Sequence, residues 1–342
     1  PAARATTAPP TFAAAWEQLA DPGWRVGLLS VAQGTVTATR TLDVPTRAHG
    51  LLWEPASVAP ATPASLLAVA RRPGDWMVRW SPATGATQWA WIEPDRAFNG
   101  HVIASGDGRL FTTETDLATG AGLVGVRDAI SLEKLSEWRT GGMDPHELLL
   151  DADGSLLVAN GGIPTLPESG RLKIGLDRMD ASLARLDTTS GALRGQWRLE
   201  DRRLSLRHIA WSTDGGHRVL GIALQAEHDD AARKREAPVL ALFDGSALRL
   251  ADAPRPLSGY GGDIAFAGGR FAVSCPRADG VALFDAAGRW QGLAPLAEAC
   301  SLAAADGTIW AGGRDAAQAL RNPPTPADRL QGVRLDNHWL AL

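Results

Sequence analysis

The chain has 342 residues, of which 45% are hydrophobic and 21% charged, and 34 basic against 38 acidic side chains leave a net charge of −4. That length can bury a sizeable core, in one large domain or two ordinary ones. No run of Lys and Arg interleaved with aromatics offers a nucleic-acid groove, and no 18-residue apolar stretch offers a membrane span.

The chain opens PAARATTAPP without a methionine. This Ala/Pro/Thr composition reads as a loose terminus, left either by trimming or by removal of an export signal. FAAAWEQLA then predicts a short helical piece, so residues 1–20 are expected to form a flexible or partly helical segment ahead of a single domain at 21–342. From WRVGLLSVAQGTVTATRTL at residues 24 to 42 onward the pattern changes. Runs of four to six β-type residues alternate with Gly (37 in the chain) and Pro (22 in the chain), the signature of many short strands and few helices. The class is all-β.

A long period organises these strands. RAHGLLW at His49, NGHVIAS at His101, PHELLLD at His146 and LRHIAWS at His208 are variants of one phrase. The slot continues as GGDIAFA at Asp263 and ACSLAAA at Ser301, and returns as DNHWLAL at His338. Separations of 37 to 62 residues suit four-stranded propeller blades. Two long units contain insertions, at 161–178 and 226–238, that read as loops. Later in each unit an alternating run, a turn and a second strand predict an outer hairpin, as in WMVRWSPATGATQWAW and VALFDAAGRWQGL. Trp89, Trp138 and Trp197 close such hairpins and are expected to pack between blades. The final unit has only its first strand, so the N-terminal strands should complete it and remove the open edges of the ring. The expectation is a seven-bladed β-propeller closed by strands from both termini.

The first strand of a propeller blade lines the central channel. A residue repeated at its start therefore lies on a ring at one channel mouth, which brings together His49, His101, His146, His208 and His338, with Asp263 and Ser301 in the two other places. Five facing imidazoles are costly to protonate together. As neutral nitrogen donors they suit Fe, Cu or Zn, while the bland alternative is a wet channel mouth that orders water. Arg47, Glu147 and Arg207 flank ring histidines, although strand alternation turns immediate neighbours the other way. Glu114, Asp116 and Asn160 end second strands, where they either return to the channel mouth or cap turns. Cys275 and Cys300 fall close in register and could form a disulfide, or stay reduced as soft ligands beside the ring. His217 and His228 are expected to be solvated.

As a set, GHVIASGDGRLFTTETD, GGMDPHELLLDADGSLLVANGGI, RLKIGLDRMDASLARLDTTSGALRGQW and LSLRHIA resemble the bacterial domain-of-unknown-function family 1513, from about residue 45 to the C-terminus. The family's histidine phrases match His101, His146, His208 and His338. Its more frequent END stands here as ETD at residues 114 to 116. The resemblance implies an exported, periplasmic protein, often encoded beside imelysin-like proteins of iron uptake, and it supplies no reaction. The leading expectation is a metal-binding propeller that handles iron or copper. The alternatives are a non-enzymatic docking platform for an uptake partner and a calcium-dependent propeller hydrolase or lactonase, whose oxygen-rich ligand set this nitrogen-rich ring does not match.

Overall fold

The computed structural model describes residues 10–58, 61–164, 173, 175–213, 218–321, 323 and 325–342. Strands dominate, as the turn-punctuated sequence requires. Five separate four-stranded antiparallel sheets follow one another along the chain, their first strands being Ala48–Glu54, Arg96–Ala104, Pro145–Leu150, Leu204–Trp211 and Ile264–Ala267. An eight-stranded sheet joins the strands of residues 301–330 to those of both termini. Its two halves pair through a short parallel ladder, Arg329 opposite Thr35 and Leu330 opposite Val36.

Each sheet packs face-on against the next, so its middle strands are apolar on both faces. In Ser65–Ala70, Leu66, Ala68 and Ala70 enter one core cluster while Leu67 and Val69 enter another. Leu156 and Val158 are divided from Leu157 and Ala159 in the same way. The first strands contact one another in chain order through Ser301–Ala305 to Val333–Ala341, and that last strand returns to Ala48–Glu54. Sheets stacked around a closed inner ring of strands make a β-propeller. Trp89, Trp138 and Trp197 pack on aromatic neighbours: Trp76 at 5.6 Å, Phe111 at 5.4 Å and Phe243 at 4.6 Å.

The N-terminal helix expected over FAAAWEQLA is corrected. Thr11–Gln18 is a strand, paired on one side with Gly23–Ala32 and on the other with Val333–Ala341. Phe12, Ala14 and Trp16 face one core cluster, Ala13 and Ala15 the next. A strand buried on both faces shows no alternation of polarity, and alanine, a strong helix former, then points the wrong way. The domain therefore includes this strand rather than beginning at residue 21; residues 1–9 lie outside the described residues.

The charged insertion at 226–238 is also more ordered than a plain loop. It contains a short helix, Ala231–Glu236, whose N-cap Asp230 accepts a hydrogen bond from Arg233 N–H at 2.7 Å. Half of the other insertion, residues 165–172 and 174, lies outside the described residues.

Candidate metal centre

Every ring histidine sits at an irregularity of its inner strand. The pairing register shifts between Ala48 and Leu51, Phe98 and Val102, Pro145 and Glu147, and Leu206 and Ile209. The partner of the fifth strand shifts across Asn337–His338 in the same way, pairing Leu335 and then Trp339. The corresponding strands that begin at Ile264 and Ser301 pair without a shift. A bulge releases a residue from strict alternation and re-aims its side chain. Glycine permits the tight approach that follows: Gly100 has φ 109°, and a Cβ there would meet the His49 ring at 2.9 Å.

All five imidazoles converge. Ring centroids lie 4.3 Å apart for His208 and His338, 4.4 Å for His146 and His208, 4.6 Å for His49 and His338, and 4.8 Å for His49 and His101. One donor atom from each of His49, His101, His208 and His338 falls within 4.8 Å of all the others. With metal–nitrogen bonds of about 2.0–2.1 Å, tetrahedral donors lie about 3.4 Å apart, so ligation needs the rings to swing inward by up to about 1 Å. His146 Nε2 lies 3.0 Å from His208 Nε2 and extends the set.

The Nδ1 atoms of His49, His146 and His208 are buried without a hydrogen-bond partner. The Nε2 atoms of His49, His101 and His338 are buried without a hydrogen-bond partner. Carboxylates stand on the other side: Glu147 lies 3.6 Å from His101 Nδ1 and 3.4 Å from His208 Nδ1, Asp263 lies 3.2 Å from His338 Nδ1, and Asp336 lies 3.9 Å from His49 Nδ1. A carboxylate behind four of the five imidazoles, all but His146, favours their orientation and raises their basicity toward a metal on the far nitrogen. Only the Asp263 contact is short enough for a hydrogen bond; the others are looser electrostatic contacts.

These carboxylates are themselves fixed. Ile209 N–H donates to Glu147 at 2.6 Å, and Leu302 and Ile264 N–H donate to Asp263 at 2.9 and 2.8 Å. Arg47 clamps Asp336 with two guanidinium nitrogens, one of them at 2.8 Å. Burial pushes His49, His101, His146 and His208 well below the usual histidine pKa, and neighbouring imidazoles and arginines add to the effect, with Glu147 opposing it at His101. These four rings are therefore neutral donors at pH 7. At His338 burial also opposes protonation, but Asp263, Glu147 and Asp336 outweigh it and raise the pKa.

Other expected residues fall into separate settings. Arg207 is buried and donates to Asp144 at 2.8 Å just outside the ring. Ser301 is buried with an unpartnered hydroxyl. Glu114 does not return to the channel mouth: it is fully buried between Arg127 and Lys134, each at 2.8 Å. Asp116 caps a turn by accepting from Ala118 and Thr119 N–H, and Asn160 donates to Ser182 Oγ at 3.2 Å. Cys275 and Cys300 are free thiols. Cys275 lies in the apolar core, whereas Cys300 contacts Asn337 Oδ1 at 3.2 Å beside the ring, and burial pushes each thiol up to about 12. His228 is not solvated but buried against Asp201 at 2.9 Å; His217 lies outside the described residues. Asp336 was missed, although it stands two residues before His338 in the DNH phrase.

A family model described as "Protein of unknown function (DUF1513)" matches residues 42–342, and the chain belongs to that family. No curated protein matches. Among solved structures, "Streptogramin B lyase structure" is 12% identical with a TM-score of 0.60, covering 85% of each chain. "Kuenenia stuttgartiensis Hydrazine Synthase" is 12% identical with a TM-score of 0.62, covering 87% of this chain and 91% of that one. "Crystal structure of Nidogen/Laminin Complex" is 10% identical with a TM-score of 0.54, covering 97% and 98%. At these identities the likeness shows the propeller fold alone.

Proposed function

We propose that this chain is a periplasmic, seven-bladed β-propeller that binds iron or copper at its histidine ring and serves the acquisition or handling of that metal. What supports seven blades is that splitting the eight-stranded sheet at its short parallel contact would give two further four-stranded units beside the five separate ones. The observation that carries the function is the polarity of the ring. The Nε2 atoms of His49, His101 and His338 are buried and unpartnered, while carboxylates stand at the Nδ1 side of His49, His101, His208 and His338. A structural cluster of histidines would have its nitrogens spent on hydrogen bonds.

Imidazole donors suit Fe, Cu and Zn; the family's implied association with iron uptake orders iron and copper ahead of zinc. A calcium-dependent hydrolase needs oxygen ligands on the axis, and here the ring carboxylates sit behind the histidines. Docking of an uptake partner at the same mouth is compatible, because Lys173 lines the cavity together with His146 and His208.

The test is elemental analysis of untagged protein, as isolated and after incubation with each metal, beside a His101→Ala/His208→Ala variant. Near-stoichiometric iron or copper that the variant loses is the expected result. Folded wild-type protein that takes up no transition metal would overturn the proposal.

A further inference from the structure

The histidine ring forms the floor of a second feature. A cavity of about 180 Å³ opens above His146 and His208 and is lined by Arg71, Arg72, Lys173, Arg207 and Arg277. At roughly 30 Å³ per water this holds about six waters. It is therefore too small for ligands that fill pockets of about 300–1,000 Å³.

Five cations around so small a space repel one another, and two of the carboxylates that meet them are shared between cations. Asp144 is shared by Arg72 and Arg207, and Glu227 by Lys173 and Lys234. Among the described residues Arg277 has no ion pair, its guanidinium lying 4.5 Å above the Tyr260 ring.

We infer that this cavity is a binding site for a small, multiply charged oxyanion, of the phosphate or polycarboxylate class, held by the arginines directly above the histidine ring. Arginine forks match carboxylate and phosphate oxygens in pairs, and a buried guanidinium gains most from such a partner. The location deepens the metal reading, since an anion here would face a metal bound below it. Capture of the anion rests on the arginines alone and does not need the metal.

The experiment is calorimetric titration of the full chain, stripped of metal with EDTA, using inorganic phosphate and citrate, with acetate as the singly charged control. Arg277→Gln and Arg72→Gln variants run alongside, their folding checked by thermal melts; Arg277 is exposed, so its variant is expected to fold. Phosphate or citrate should bind with a Kd below about 1 mM and more tightly than acetate, and each variant should bind at least tenfold more weakly. Failure of both anions to bind the wild type would overturn the inference, and so would variants that bind as tightly as wild type. A metal titration of the same sample separates the two claims: anion binding without any metal uptake leaves this site standing and removes only the metal reading.

Discussion

The chemistry of the ring depends on which nitrogen of each imidazole is left free. Glu147 shows how. Strand alternation should turn it away from His146, yet the register shift between Pro145 and Glu147 brings its carboxylate to His101 and His208 instead. One side chain thus positions two rings on neighbouring strands. A Glu147→Gln substitution keeps the acceptor for Ile209 N–H but removes the charge facing both Nδ1 atoms. Metal affinity is expected to fall about 10–100-fold, the usual cost of losing an outer partner of a ligating histidine, with the thermal midpoint of the metal-free protein little changed. Competition titration against a chelator reads the first quantity and a melt the second. An unchanged affinity would mean that Glu147 serves only the backbone of the next strand.

At the scale of elements, the repeat is legible in the sequence because similar tasks at the start of each inner strand leave similar phrases, and five histidines in one slot mark the ring. Bulges were not legible, since they arise from pairing between strands rather than from residue type, and with them went the orientation of Glu147 and the role of Asp336. The strand Thr11–Gln18 was misread for a related reason. Its burial comes from sheets contributed by distant parts of the chain, and FAAAW alone carries no trace of them. The same reasoning explains Glu114, a carboxylate placed by its buried partners Arg127 and Lys134 rather than by its position at a strand end.

The two-faced burial of the N-terminal strand gives a sharp expectation. Ala13→Asp and Ala14→Asp point to opposite sides, and each should destabilise the protein by about 3 kcal/mol or more, because each buries a carboxylate without a partner. Denaturant unfolding measures both. A helix lying on the surface would tolerate a charge at one of the two positions, so one neutral substitution would contradict the strand assignment.

At the scale of the whole molecule, the propeller turns a weak local motif into a site. Each blade presents one residue at the channel mouth, and closure between Thr11–Gln18 and Val333–Ala341 places His338, from the end of the chain, 4.6 Å from His49 near its beginning. The same closure brings Arg47 to Asp336. Ring, carboxylates and the cationic cavity above them are thus stacked at one mouth of the molecule, with neutral nitrogen donors below and positive charge above.

The most direct measurement of this account is anomalous diffraction from crystals of untagged protein loaded with metal, recorded at the absorption edges of iron, copper and zinc. A single peak on the channel axis, about 2.0–2.3 Å from Nε2 of at least three ring histidines, is the result expected, with iron or copper as the ion. Crystals of loaded protein with no peak at the ring, or with peaks only beside surface carboxylates, would contradict it.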